Sequence, residues 1–533
     1  MSASKPDPTM MLSNPSLEDS KLMLRALTRT TRQLAIAVAA QAPDEALVRK
    51  LTNRKVLLVE ALRRHRRPQA QVNSAEVEAI EPRLVVDRDG PFQDVVLGGN
   101  PLRDWQIAAL QAWQQNGCTG VVEAVTGTGK SLVGVAAIQR TVGVDGGQAL
   151  VVVPTVALLA QWAETLRRLL PGERVGMLGS GSNDSFRASD VLVATVQSAS
   201  KSPPLPRSLG LLVADEVHRY GSPQYARALD DTFVRRLGLT ATFERQADDG
   251  VQQILTPYFG GVTTTYGYGQ ALRDKVVAPF KLAFVGLDFT QRERREYDQA
   301  SELCNDSMRS LQSRYGYPEE WADFFHQVTQ TLSSDSMWDE ETDICNRYMH
   351  GFSERRRLTA EARAKEEFVG RIAPTFVAMG GTLVFTETKE GAKALAESIS
   401  PSASAIAVTS DSPPKERDEH LAAFGRGRIK VLCAPRVLDE GVDVPEAELA
   451  VVVATSKTRR QMIQRMGRVI RLKKDGRDAR LVMLYIRGTG EDPATGGHEA
   501  FLDMVRPHAA SEVTFDGNGD DGLLRWLERP QIE

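Results

Sequence analysis

The sequence predicts an α/β fold, with two tandem parallel-sheet units, a helical hairpin before the first and a helical insertion between them. Three observations carry that expectation. Strand-length apolar runs alternate with amphipathic segments in two blocks of the chain. A glycine-rich turn joins one of these runs to a helix-like stretch. A charged segment punctuated by aromatics, and without strand alternation, separates the blocks. Strands covered on both faces read as continuous apolar runs rather than alternating ones, which is the texture seen here.

Residues 1–15, rich in Ser, Pro, Lys and Asp, read as a disordered start. From Ser16 to Ala40 the residues Leu22, Leu27, Leu34 and Val38 recur at near-helical spacing. Pro43 and Asp44 break and restart the pattern, which runs to Arg67. Its polar positions are strongly basic (Arg25, Arg29, Arg32, Arg49, Lys50, Arg54, Lys55 and Arg63 among them), so 16–95 reads as a basic helical module and linker. A phosphate-binding or partner-docking arm and a solvated helical face are both open readings of it.

The first block, 96–287, contains VVEAV (121–125), ALVVV (149–153), VLVAT (191–195), LLVAD (211–215) and RLGLTAT (236–242). The second, 371–490, contains TLVFTE (382–387), SAIAVTS (404–410), IKVLCA (429–434), LAVVVAT (449–455) and RLVMLYI (480–486). Between them, 288–370 carries Tyr297, Tyr315, Trp321, Phe324, Phe325 and Trp338 and is expected to be helical, its aromatics forming a small core or a base-stacking wedge. The remainder, 491–533, reads as a tail that caps or links and ends in a short helix around Leu523–Leu527.

A chain of 533 residues with 42% hydrophobic and 25% charged residues has the apolar material for several folded units. Its net charge of -3 excludes a uniformly basic coat, so any grip on nucleic acid must come from a local channel or patch. Cys118, Cys304, Cys345 and Cys433 stand far apart with no CxxC, which argues against zinc or iron–sulfur ligation and fits a reducing compartment. No apolar run approaches the ~20 residues of a membrane span. LAIAVAAQA (34–42) resembles a secretory core, but the long segment before it carries Glu18 and Asp19. A cytoplasmic protein is expected.

The motif that carries most chemistry is AVTGTGKS (124–131), placed between a strand and a helix. A glycine-rich turn feeding a helix N-terminus aims backbone N–H groups at phosphates, with Thr126, Gly127, Thr128 and Gly129 as the cradle. Lys130 then reaches the β/γ-phosphates of ATP, and the Ser131 hydroxyl can ligate Mg²⁺. LLVADEVH (211–218) ends a buried strand in paired carboxylates. Asp215 is expected to hold Mg²⁺ and Glu216 to orient and deprotonate the attacking water.

The ordered set LRDWQIAAL (102–110), AVTGTGKS, VVPTVALLAQW (152–162), VATVQS (193–198), ADEVH (214–218), LGLTATFER (237–245), TLVFTET (382–388), VLDEGVDVP (437–445) and QMIQRMGRVIRLKKDG (461–476) resembles superfamily-2 helicases. The combination of LRDWQ, TATFER and QRMGRVIRLKKDG is most similar to the XPB-like branch and the helicase modules of restriction enzymes. XPB-like proteins carry an Arg-Glu-Asp element after the TAT motif. Here Glu244, Arg245, Gln246, Ala247 and Asp248 stand in its place, so that element is altered.

The resemblance implies two RecA-like domains with ATP between them. Arg103 and Gln106 would read adenine, and Gly441 and Asp443 would approach the ribose. Gln464 would face the γ-phosphate, with Arg468 and Arg471 as fingers on the transferring phosphoryl. His218, Thr240 and Thr242 would couple nucleotide state to closure. Nucleic acid would be held through phosphate contacts around Pro154, Thr155, Thr195, Gln197, Thr386 and Thr388, which permit stepping without sequence preference. The implied function is an ATP-dependent DNA helicase or translocase moving 3′ to 5′, the basic N-terminal module offering a surface to a protein partner. An RNA helicase, or an ATP-gated clamp activated by a partner, are the rival readings.

Overall fold

The computed structural model describes residues 84, 86–243, 250–333, 339–435, 447–454, 476–495, 505–517 and 522–528. The basic helical module expected at 16–67 and the altered element at 244–248 lie outside these residues.

The first sheet grows from the runs that the sequence singles out. A small hairpin, β1 (Val96–Leu97) and β2 (Asn100–Pro101), leads into helix α1 (Asp104–Gln115). Then follow β3 (Thr119–Ala124), α2 (Lys130–Ile138), β4 (Gln148–Val153), α3 (Val156–Leu169), β5 (Val175–Gly179), β6 (Ser182–Asn183), β7 (Val191–Thr195), α4 (Val196–Lys201) and β8 (Gly210–Asp215). The short helix α5 (Pro223–Ala226), β9 (Arg235–Thr240), α6 (Thr256–Phe259) and β10 (Val262–Tyr266) complete this part. The 8-stranded sheet has the order β10-β3-β9-β8-β4-β7-β5-β6 and is parallel except for the β5–β6 pair. Its middle strands are sealed on both faces. Leu150, Val151, Val152, Leu192, Val193, Leu212 and Val213 are all fully buried, which is why helices must cover both sides.

Helix α7 (Tyr268–Arg273) precedes β11 (Phe280–Leu287), and the insertion follows as α8 (Gln291–Tyr315), α9 (Trp321–Ser333) and α10 (Glu340–Ala360). The start of α8 is written locally. Thr290 Oγ1 accepts from the Glu293 N–H at 3.3 Å while the Glu293 carboxylate accepts from the Thr290 N–H at 2.9 Å, a reciprocal cap. Gly316, at φ +70°, ends the helix in the left-handed region. Cys304, Leu311, Tyr317, Phe324, Val328, Ile344, Cys345 and Tyr348 form the insertion's own core. Most of the aromatics are therefore packing residues, and Trp321 stays 53% exposed.

The second sheet collects β12 (Thr382–Phe385), β13 (Ala405–Ala407), β14 (Val431–Ala434), β15 (Leu449–Val452) and β16 (Ala479–Ile486), with α11 (Arg363–Ile372), α12 (Lys389–Ile399) and α13 (Pro414–Gly425). Two further strands join it: β11, and β17 (Ser511–Asp516), which is followed by α14 (Gly522–Glu528). The 7-stranded order is β13-β14-β12-β15-β16-β11-β17, parallel throughout. The ranges read from sequence shift accordingly.

Strand 280–287 falls inside the block assigned to the first unit, yet it pairs with β16 and β17 in the second sheet. Its apolar run FKLAFVGL is indistinguishable by composition from those of the first block. Phe368, Val369 and Ile372 of α11 likewise pack into the second core rather than the insertion. The tail is part of the fold as well. SEVTFD alternates half-buried and exposed positions as an edge strand does, and Arg480 reaches from β16 to the Leu527 carbonyl with the Trp526 ring 5.9 Å from its guanidinium. Trp526→Ala should lower stability to urea by about 3–5 kcal/mol. A change below about 1 kcal/mol would mean that the tail is a detachable cap after all.

Candidate nucleotide site and nucleic-acid interface

Strand β3 ends at Ala124, and the chain turns through Gly127 at φ +85° and Gly129 at φ +91° into the N-terminus of α2. A side chain at either glycine would be strained, and a Cβ on Gly129 would stand 2.9 Å from Gln106 Nε2. Gln106 is 1% exposed. Its amide donates to the Gly129 carbonyl at 3.0 Å and accepts from the Arg103 N–H at 2.9 Å. The Arg103 guanidinium donates to the Thr128 carbonyl at 3.2 Å, and the Thr128 hydroxyl donates to Val125 O at 2.7 Å. The start of α1 thus braces the glycine turn from below.

The buried Gln106 amide thus holds the turn through one donated and one accepted hydrogen bond. Arg103 differs, because it also lines a cavity of about 580 Å³ together with Leu84, Val86, Trp105, Gln270 and Val276.

Lys130 opens α2, and its ammonium donates to the Ala124 carbonyl at 2.8 Å. Burial pushes its pKa down, while the charges of Glu216, Asp215 and Glu123 oppose that shift. Ser131, beside it, is exposed. Asp215 is the last residue of β8, two strands from β3 with β9 between them. One carboxylate oxygen accepts from the Trp162 indole N–H at 2.7 Å, and the other from the Glu216 N–H at 3.1 Å. Burial raises its pKa against the stabilising effect of the Trp162 N–H, the Lys130 charge and the Glu216 N–H. Glu216 itself sits at φ +50°, ψ +48°, a left-handed conformation uncommon for a side-chain-bearing residue and frequent at working sites.

The end of β9 lies alongside. His218 Nδ1 and Thr240 Oγ1 are 2.9 Å apart, and the Thr240 hydroxyl donates to Thr242 O at 2.7 Å. Since that hydroxyl has one hydrogen, His218 must be the donor, which fixes the proton on Nδ1. Lys130, Asp215, Glu216, His218, Thr240 and Thr242 therefore gather at the carboxyl ends of three neighbouring parallel strands. Such strand ends are where α/β sheets bind ligands.

The expected nucleic-acid contacts lie at strand ends too, but their hydroxyls have local work. Thr155 caps α3 by accepting from Leu158 N at 3.3 Å, Thr195 caps α4 by accepting from Ser198 N at 3.3 Å, and Thr388 caps α12 by accepting from Gly391 N at 3.0 Å. Thr386 donates to Thr388 O at 2.9 Å. Pro154 is buried and Gln197 exposed. What these positions offer outward is the N-terminus of a helix, a natural phosphate receptor.

Two features were not singled out from sequence. Trp162 lies within VVPTVALLAQW without an assigned role. Gly179, Ser180 and Gly181 run at φ +126°, +52° and +88°, and a Cβ on Gly179 would stand 2.9 Å from Thr195 Oγ1. The glycine spacing GSG was the available signal for this turn.

Residues 100–245 match the family model "Type III restriction enzyme, res subunit", and 364–473 match "Helicase conserved C-terminal domain". The DNA 3'-5' translocase XPB2 of Sulfurisphaera tokodaii is 30% identical over 400 residues, covering 73% of this chain and 82% of that protein. The chain belongs to the superfamily-2 helicases, in their XPB-like branch. As a member of that family it is an ATP-hydrolysing helicase. The DNA 3'-5' helicase XPB of Kineococcus radiotolerans is 25% identical over 78% of this chain, which spans 65% of that relative's length. In fold, S. cerevisiae Dbp5 bound to RNA and ADP BeF3 superimposes with a TM-score of 0.51 at 15% identity, covering 80% of this chain and 93% of Dbp5.

Gly441, Asp443, Gln464, Arg468 and Arg471 lie outside the described residues. Within them, the Trp162–Asp215 bond is open to a direct check. Trp162→Phe should cost about 1.5–3 kcal/mol of unfolding free energy in urea, because a buried carboxylate loses a donor. In an Asp215→Ala background the same change should cost much less. Additivity of the two substitutions within about 0.5 kcal/mol would contradict the coupling.

Proposed function

We propose that this chain is an ATP-dependent DNA translocase of 3′-to-5′ polarity that uses Mg²⁺–ATP and works in the cytoplasm on chromosomal DNA. The observation that carries the reading is the gathering of Lys130, Asp215 and Glu216 at adjacent strand ends, in a chain 30% identical over 400 residues to a protein named as a DNA 3'-5' translocase. Among the described residues no helix is long and apolar enough to cross a membrane.

In this reading the phosphates lie on the N–H groups of Thr126–Ser131 at the start of α2, and Lys130 leaves Ala124 O to meet them. The base enters the cavity of about 580 Å³ beside Arg103, a volume suited to a nucleoside. Mg²⁺ would be held by Ser131 and the carboxylate of Asp215 in the DEVH box, where it would neutralise phosphate charge. Among the described residues no group of three or more His, Cys, Asp or Glu could hold a metal. Mg²⁺ binds through one or two carboxylates and the substrate's own phosphates, the kind of set that Asp215 and a nucleotide would supply. Glu216 accepts the proton of the attacking water, and the hydrogen bond from His218 to Thr240 ties the DEVH box to the end of β9.

On the resemblance of their motifs, Gly441 and Asp443 approach the ribose, Gln464 faces the γ-phosphate, and Arg468 and Arg471 complete the site from the second domain. The polymer crosses the helix N-termini capped by Thr155, Thr195 and Thr388, with Pro154, Gln197, Thr386 and the Gly179–Gly181 turn beside them. The basic module at 16–95 docks a protein partner or adds phosphate contacts.

Steady-state ATP turnover with no polymer, single-stranded DNA, duplex DNA and RNA tests this, with Lys130→Ala as the blank. DNA should stimulate wild type more than RNA does. Glu216→Gln should lower turnover by about 10²–10⁴-fold while ATP still binds. Stimulation by RNA alone would reassign the polymer, and turnover in Lys130→Ala equal to wild type would remove the assigned site.

A further inference from the structure

The two sheets are joined covalently at one place among the described residues. Every strand of the first sheet ends by Tyr266, and every strand of the second begins at or after Phe280, so 267–279 is the crossing. The crossing starts beside the phosphate turn. Strand β10 runs parallel to β3, and the Tyr266 carbonyl accepts from the Val125 N–H at 3.1 Å. The Tyr266 ring stacks on Trp105 of α1 at 4.5 Å and 12°, and its hydroxyl donates to Asp274 at 2.9 Å.

Two residues further on, Tyr268 is 1% exposed and its hydroxyl is hydrogen-bonded to Thr126 in the turn itself. The edge of the same ring meets Phe280, the first residue of β11, with centroids 6.3 Å apart and planes at 63°. The helix it opens, α7, touches Arg506–His508, just before β17. One buried side chain thus contacts the phosphate turn at one end and the second sheet at the other.

We propose that Tyr268 is a positioning residue that transmits the state of the phosphate turn to the second domain. The Lys130 ammonium donates to Ala124 O, and in the proposed function it leaves that carbonyl as phosphates settle on the N–H groups of the turn that holds Thr126. Any movement of Thr126 acts on the Tyr268 hydroxyl, and a buried aromatic in a close-packed interior passes displacement to the ring beside it rather than absorbing it. The consequence is a coupling between nucleotide binding and domain closure that runs from Thr126 of the phosphate turn through Tyr268, a residue outside the assigned ATP and polymer contacts.

The inference rests on the proposed DNA-stimulated ATPase, and the test separates the two. Full-length Tyr268→Phe keeps the ring against Phe280 and removes the hydroxyl at Thr126. Its unstimulated turnover and its KM for ATP should stay within about twofold of wild type, while its poly(dT)-stimulated kcat falls roughly 5-fold or more, the lower range of coupling between sites. Phe280→Leu keeps the hydroxyl but removes the ring contact, and should give the same split. It replaces Tyr268→Phe if that variant does not fold. Stimulated kcat equal to wild type in the folded variants would overturn the inference while leaving the function intact. A wild type that poly(dT) does not stimulate would defeat the function, and the coupling with it.

Discussion

Parallel pairing of β3, β9 and β8 is the constraint on which the rest depends. Because the three strands run in one direction as neighbours, their carboxyl ends emerge side by side, and the residues after each end meet without any long-range search. Lys130 follows β3, Asp215 closes β8, and Thr240 closes β9. The cost of this gathering is electrostatic. A carboxylate is taken out of water beside a half-buried lysine, each pushed by burial toward its neutral form, and the attraction between them offsets part of that cost. The remainder is met by directed hydrogen bonds: Trp162 and the Glu216 N–H on Asp215, Ala124 O on Lys130. Removing one partner would leave a buried charge on the other, so the site is specified as a unit.

The same logic organises the loop backbone. A turn with two left-handed glycines has little intrinsic stability, since glycine loses the most conformational entropy on ordering. The Gln106 amide and the Arg103 guanidinium supply the missing order from a helix that belongs to the preceding segment. Threonine caps do the equivalent work at the ends of β4, β7 and β12. The insertion adds a further brace there: Arg356 of α10 pairs with Glu387 at 2.6 Å, next to the Thr388 cap. Thus the helix N-termini at these strand ends are held in place by local side-chain bonds.

Much of this was legible in the sequence, for identifiable reasons. Continuous apolar runs announced the inner strands, and glycine spacing announced the turn from β3 into α2, because each depends on neighbours within a few residues. What was not legible depends on partners far away. FKLAFVGL says that it is a buried strand but not which sheet receives it, and the assignment is decided by β16 and β17 some two hundred residues later. SEVTFD is too short and too polar to stand out until its half-buried positions find the second core. Gln106 was given an adenine contact by the family resemblance, which says nothing of what else its amide holds. Its actual bonds, to Gly129 O and Arg103 N, follow from the packing of α1 against the turn.

The central claim is that hydrolysis at the first sheet drives directional movement along DNA. Displacement of streptavidin from end-biotinylated single-stranded DNA reads this directly, independently of turnover. The account predicts ATP-dependent release from the 5′ end, faster than spontaneous loss, and little release from the 3′ end. Hydrolysis of ATP with no release at either end would contradict it, leaving an ATPase that opens and closes on DNA without moving.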